Sequence, residues 1–286
     1  MNISTTLSDS MYNEKNNLIN RVPEITILFW IIKILTTGMG EAASDYISHE
    51  LLESGGPGGP GGPGGSGLAG GAGLAMIIFG GFLVISLILQ FRARRYVTWI
   101  YWLNIALISV FGTMVADGIH LEPVVSTTVF AIILAIILIG WYMSEKTLSP
   151  HCINTRRREA FYWATVMATF ALGTAVGDMT ADAFGLGFLW SGIMFIGIIA
   201  IPALARKLFN MNEVFTFWFA YITTRPLGAS FADWMDMPSR MGGLGWSKPV
   251  IVLVAIFVII VLVAYMGFTH MDVKDKNKAK IQFQMD

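Results

Sequence analysis

The sequence predicts an all-α, polytopic membrane protein with eight transmembrane helices, arranged as four parallel helical-hairpin repeats. Three observations predict it. Apolar residues make up 55% of the chain and charged residues only 13%, against a charged share near ~25% in soluble proteins. Apolar stretches recur that meet the ~20-residue requirement for a helix crossing the hydrocarbon core. One pattern, Trp followed ten residues later by Gly and five after that by Asp, occurs four times without slip, the mark of an internal repeat. Its copies are Trp30, Gly40, Asp45; Trp102, Gly112, Asp117; Trp163, Gly173, Asp178; and Trp218, Gly228, Asp233. Phe29, Tyr101, Tyr162 and Phe217 precede the four tryptophans.

Residues 1–21 form a polar tail with no apolar core and no small-residue cleavage site, so the first apolar segment is expected to stay in the membrane. The membrane domain runs over 22–269, with repeats at 22–95, 96–156, 157–208 and 209–269. Spans are predicted near 24–46, 70–91, 97–117, 123–143, 160–181, 185–205, 212–233 and 249–268. Between the first two lies SGGPGGPGGPGGSGLAGGAGL, residues 54–74. It cannot pack a core and reads as a flexible linker inserted in the first hairpin, too short for a collagen-type helix. The last span, PVIVLVAIFVIIVLVAYMGF, is apolar on every side and is expected to face lipid. Residues 270–286 form a polar, solvated tail.

Charge is sorted by position although the net charge is zero. Fifteen of the 19 Lys and Arg fall on one side: in the loops after the even helices, before the first span and after the last. The opposite loops hold only Arg240 and Lys248, together with Glu50, Glu53 and Glu122. The positive-inside rule then places both termini in the cytoplasm. No global field favours nucleic acid. The lone Cys152 excludes an internal disulfide and a CxxC metal site.

The odd helices carry the ionisable residues inside the membrane: Lys33, Glu41, Asp45, Asp117, Asp178, Arg225 and Asp233, with Asp182 at the margin. The even helices carry none there. This division predicts an inner ring of odd helices and an outer ring of even ones. With each Trp at 0° and about 100° per residue, the repeat Asp falls near ~60°, Glu41 near ~20°, Asp182 near ~100°, Asp236 near ~0°, Arg225 near ~−20° and Lys33 near ~−60°. All lie on one half-cylinder. The repeat glycines, at about −80°, are expected to let neighbouring backbones approach closely; the other reading is local unwinding beside the Asp. The tryptophans, one turn into each helix, read as interfacial anchors. A rise of 1.5 Å per residue sets each Asp roughly 22 Å further along its helix, toward the outer face.

Parallel hairpins bring four carboxylates to one depth. Like charges there need a cation, protons or water among them. A second candidate ligand follows each Asp by one turn: His49, His120, Asp182 and Asp236; Glu41 precedes Asp45 by one turn. Carboxylate with imidazole suits Mn, Fe, Co or Zn, and carboxylate alone suits Mg, Ca or Mn. Lys33 and Arg225 are two internal cations against at least five carboxylates, and would tune their charge. The expectation is a secondary transporter or exporter of a cation such as divalent Mn, Mg or Zn, with no required cofactor. Its partners are the lipid bilayer, the inorganic cation and protons, and no nucleic acid. The alternative is a non-transporting scaffold or sensor whose carboxylates pair with Arg225 and Lys33. Val176-Gly177-Asp178 resembles the Gly-Asp of intramembrane aspartyl proteases, but those need two catalytic Asp and here four recur alike. With no HExxH, GxSxG or P-loop, an enzyme is not expected.

Four stretches, VPEITILFWIIKILTTGMGEAASDYI, LQFRARRYVTWIYW, TRRREAFYWATVMATFALGTAVGD and YITTRPLGASFADW, resemble an uncharacterised family of bacterial inner-membrane, "membrane-anchored" proteins built from repeated hairpins. The resemblance covers residues 22–268 and implies the fold and an inner-membrane location. It implies no activity.

Overall fold

A computed structural model describes residues 20–51, 71–93, 95–119 and 121–272. The described residues form eight long helices: α1 (Ile27–Asp45), α2 (Gly71–Arg92), α3 (Thr98–Gly118), α4 (Pro123–Glu145), α5 (Arg156–Asp178), α6 (Phe188–Phe209), α7 (Glu213–Asp236) and α8 (Lys248–Thr269). Short polar residues start several of them. Thr26 accepts from the Phe29 amide, Thr155 from Arg158, and Asn212 from Val214 and Phe215, satisfying N–H groups that the first turn leaves unpaired. Lys146, Asn210 and His270 end α4, α6 and α8 in the left-handed conformation. Most of the Gly/Pro-rich stretch lies outside the described residues.

Seven of the eight helices are long and apolar enough to cross a membrane. The exception to the expected eight is α7, which has 24 residues but is diluted by threonines, Arg225, Pro226, Asp233 and Asp236. It can carry these polar groups because it lies inside. The helices α1, α3, α5 and α7 form a closed ring, each packed on the next and α7 on α1. The other four pack outside. Their apolar side chains, such as Phe82, Ile136, Ile196 and Phe257, are exposed on the outer surface, as lipid-facing helices require.

The outer helix of each repeat barely touches its own inner helix. Instead α2 packs on α3, α4 on α5, α6 on α7, and α8 returns to α1. The repeats are therefore interleaved. Two cyclic contact sets hold the ring. A Cβ on Gly40 would collide with Ser109 of α3, one on Gly112 would crowd Phe170 of α5, one on Gly173 would collide with Arg225 of α7, and one on Gly228 with Thr37 of α1. Each repeat glycine thus seats the side chain seven residues after the next repeat's Trp. The helices run unbroken through these glycines, so close packing is their role, not unwinding.

The second set is aromatic. Phe29 packs on Trp102, Tyr101 on Trp163, Tyr162 on Trp218 and Phe217 on Trp30, with ring centroids 5.6, 5.5, 6.0 and 5.9 Å apart. This corrects the expectation of interfacial anchors. Trp102, Trp163 and Trp218 are buried, and Trp30 half-buried, because each fills the seam between two inner helices. Trp99, Trp190 and Trp246 are the exposed tryptophans suited to the interfaces.

The ring is tied at the end where the basic loops lie. Arg21 pairs with Glu159, which also accepts from Gln90. The Asn20 side chain binds the backbone of Pro150 and Ile153. Asp272 accepts from Thr98 at 2.6 Å through its side chain and from the Glu24 amide at 2.9 Å through its carbonyl. Burial, with Asp272 beside it, pushes the Tyr96 phenol above its ordinary pKa. Residues 20, 21 and 272 are thus held against the basic end of the ring. Gly40→Ala should destabilise the protein by about 1–3 kcal/mol through overpacking against the Ser109 backbone, whereas Gly81→Ala, with nothing within 4 Å, should not; melting of the two purified variants in detergent checks this.

Candidate functional site

The four inner helices run parallel, so equivalent repeat positions form layers. Nearest the basic end is the aromatic layer, where the Tyr101 and Tyr162 hydroxyls are hydrogen-bonded at 2.6 Å. Above it lies Lys33, 1% exposed. Next come the residues seven after each Trp: Thr37, Ser109, Phe170 and Arg225. One turn higher are those eleven after it: Glu41, Thr113, Thr174 and Ala229. The repeat Asp residues form the last layer.

Arg225 departs from its repeat equivalents, and the ring closes around it. Its side chain is 0% exposed. Nη2 donates to Glu41 at 2.6 Å, to Thr174 at 2.8 Å and to Thr113; Nη1 donates to the Thr37 carbonyl at 2.9 Å. Thr113 also lies 3.4 Å from the Glu41 carboxylate as a donor. One guanidinium on α7 therefore reaches α1, α3 and α5. A planar fork with five donors is suited to this, and a lysine is not. The threonines escaped the sequence reading. Aligning the repeats on Trp would have shown Thr at the equivalent position in two of them.

Above this floor opens a cavity of about 380 Å³, lined by Glu41, Asp45, Asp117, Asp178, Asp233 and Asp236, with Phe188, Met237, Pro238 and Met241 on its wall. The predicted quartet does converge. Each quartet Asp lies in the last turn of its helix: Asp45 and Asp178 end α1 and α5, which continue as π-helical turns over Tyr46–Leu51 and Met179–Ala183. The C-terminal ends of α3 and α7, each carrying a partial negative charge, border the same space as the carboxylates. At the rim Lys248 pairs with Asp236, and its charge also acts on Asp45.

Other expected site residues fare differently. Asp182 is exposed and not among the lining residues. Asp236 lines the cavity and pairs with Lys248 at 2.8 Å. Arg225 binds Glu41 rather than a quartet Asp. Lys33 binds no carboxylate; its Nζ has no hydrogen-bond partner. His120 and the side chain of His49 lie outside the described residues. Among the described residues, no three His, Cys, Asp or Glu side chains are grouped closely enough to hold a metal ion. The cavity is a wide carboxylate vestibule, not a tight coordination shell.

A ring of parallel inner helices, clad by apolar outer ones and repeated four times, defines a multi-pass membrane protein built by tandem repetition. The chain belongs to the family described as Repeat of Unknown Function (DUF347), matched at residues 28–96, 100–147, 161–211 and 216–271. No curated protein and no solved structure matches it. Breaking the central pair by Glu41→Gln or Arg225→Met should cost about 3–5 kcal/mol, because either leaves one buried charge uncompensated. The double variant should melt above both singles in detergent.

Proposed function

We propose that this protein is a secondary transporter or exporter of a hydrated cation, with the carboxylate vestibule as its loading site. The observation that carries this reading is the charge imbalance. Four Asp and the C-terminal ends of α3 and α7 face one cavity, and the Arg225 guanidinium at its floor is already matched by Glu41. A cation is the complement of such a site. A small divalent ion such as Mg or Mn sheds water reluctantly and is commonly held through its hydration shell with few carboxylates, which suits a 380 Å³ space. Protons compete for the same oxygens.

On this reading the protein sits in a bacterial inner membrane with its basic end and both termini in the cytoplasm, following the asymmetry of Lys and Arg. The vestibule then opens outward, and the aromatic layer and the Arg225–Glu41 pair close the way in. Release on the other side requires the inner helices to rock apart, as in other repeat-built carriers. The scaffold reading finds support in Arg225, which binds three other helices, and it explains that pair. It leaves the quartet without a task. The fourfold recurrence of the Asp gives a protease no distinct pair to split between acid and base.

The test is flux of Mn²⁺ into or out of vesicles containing the purified protein. Asp178→Asn should abolish flux with little loss of folded protein, and wild-type flux should fall as the vestibule side is acidified, since protons displace the metal. Unchanged flux in Asp178→Asn would refute the reading.

A further inference from the structure

Lys33 is a second buried cation that the vestibule does not explain. It lies eight residues before Glu41 on α1, about 12 Å below it at 1.5 Å per residue. Its Nζ stands 3.8 Å from the centroid of the Phe170 ring and 4.2 Å from that of Tyr221. The Arg225 guanidinium is 5.5 Å from the same Phe170 centroid. One ring therefore bears both cations. The neighbouring carboxylate that could balance the lower one, Glu41, is held by Arg225. An ammonium with no hydrogen bond and no carboxylate is an expensive way to fill a core position, and intramembrane charge of this kind marks function by default.

The groups around it are few. From α7 come Arg225 and Tyr221; from α5, Phe170 and Tyr162; from α3, Tyr101; from α1 itself, Glu41 above. The remaining neighbour of α1, α8, has Lys248 at its acidic-end start and the exposed Tyr265 near its other end. Toward the basic end the aromatic layer contains hydroxyls: Tyr101 and Tyr162 bonded to each other, and Tyr221 buried without a partner. A phenol both donates and accepts, so it can pass a proton through an otherwise apolar seal.

We propose that Lys33 is the proton carrier that couples cation movement to a counter-flow of protons. The inference rests on the transport reading and adds its coupling ion. Cargo, Arg225 and Lys33 would be three positive charges in one dry core. Entry of the cargo from the vestibule expels a proton: one N–H bond of Lys33 breaks, its electron pair stays on nitrogen, and the proton leaves to vestibule water as the inner helices rock. When the cargo has left at the basic end, the neutral amine takes a proton from water on that side by way of Tyr101, Tyr162 and Tyr221, and the ammonium is restored.

The test uses the full-length protein, Lys33→Met and Lys33→Arg, in vesicles with a Mn²⁺ gradient and a trapped pH dye. Wild type should move protons against Mn²⁺. Both variants should lose the proton movement, Lys33→Arg included, because a guanidinium keeps the charge and the ring contact but cannot release its proton. Lys33→Met should melt no lower than wild type, since it removes an unpaired buried charge. Proton movement retained in Lys33→Arg, or a large drop in melting temperature in Lys33→Met restored by Arg, would overturn the proposal in favour of a structural cation. In a second arm, carbon NMR of ¹³Cε-lysine protein assigns Lys33 by the signal missing from Lys33→Met. That signal should change from ammonium to amine as pH is raised, as a proton carrier requires; an ammonium signal throughout overturns the proposal. If wild type moves no Mn²⁺, the transport reading fails, and the NMR arm still decides whether Lys33 exchanges its proton.

Discussion

Burying a guanidinium in an apolar helix ring is tolerable only if its charge and most of its donors are met, and Arg225 meets its cost by drawing three other helices to it. Glu41 supplies the charge, Thr113 and Thr174 supply hydroxyls, and the Thr37 carbonyl accepts from Nη1, while Nε lies against the packed core without a hydrogen bond. Each partner comes from a different place in the chain, so the pair fixes the relative depth of the inner helices. The quartet of Asp lies one turn above. Its convergence follows from that fixed depth, and so does the shape of the vestibule.

Around this asymmetric centre the packing is nearly fourfold. The glycines and the aromatic pairs each make a closed cycle in which every helix offers the same surface to the next. Symmetry supplies the frame, and departures from it supply the chemistry. Position seven after the Trp is Thr, Ser, Phe and Arg in turn; position eleven is Glu, Thr, Thr and Ala. Four Arg at the first of these positions, or four Glu at the second, would repel in this dry layer. One Arg and one Glu on different levels and different repeats attract instead.

Much of this was legible in the residues. The Trp-Gly-Asp spacing located the repeats and the inner ring, because a fixed spacing on a helix fixes depth and face. Composition separated inner from outer helices, since a helix without polar groups has nothing to bring to a centre. The tryptophans were misread because position along a helix gives depth, and depth alone does not distinguish a side chain facing lipid from one filling a helix seam. The binding of Arg225 to Glu41 rather than to an Asp was also hidden: it depends on which inner helices are neighbours, and interleaving sets that. The apolar vestibule wall, with Phe188 and Met241, comes from segments after α5 and α7 that carry no repeat signature.

The interleaving also bears on how such a protein is made. During synthesis α1 emerges first, yet its lasting neighbours are α3, α7 and α8, and the last of these leaves the ribosome only at the end of the domain. Until α7 follows, Glu41 on this first helix has no Arg225 to pair with. A ring that joins its newest piece to its oldest has no intrinsic start, so a gene cut at any basic loop and rejoined end to end would encode the same set of contacts. By the same logic a lone ancestral copy had no mate for its outer helix within itself, and would have needed sister copies before gene fusion put them on one chain.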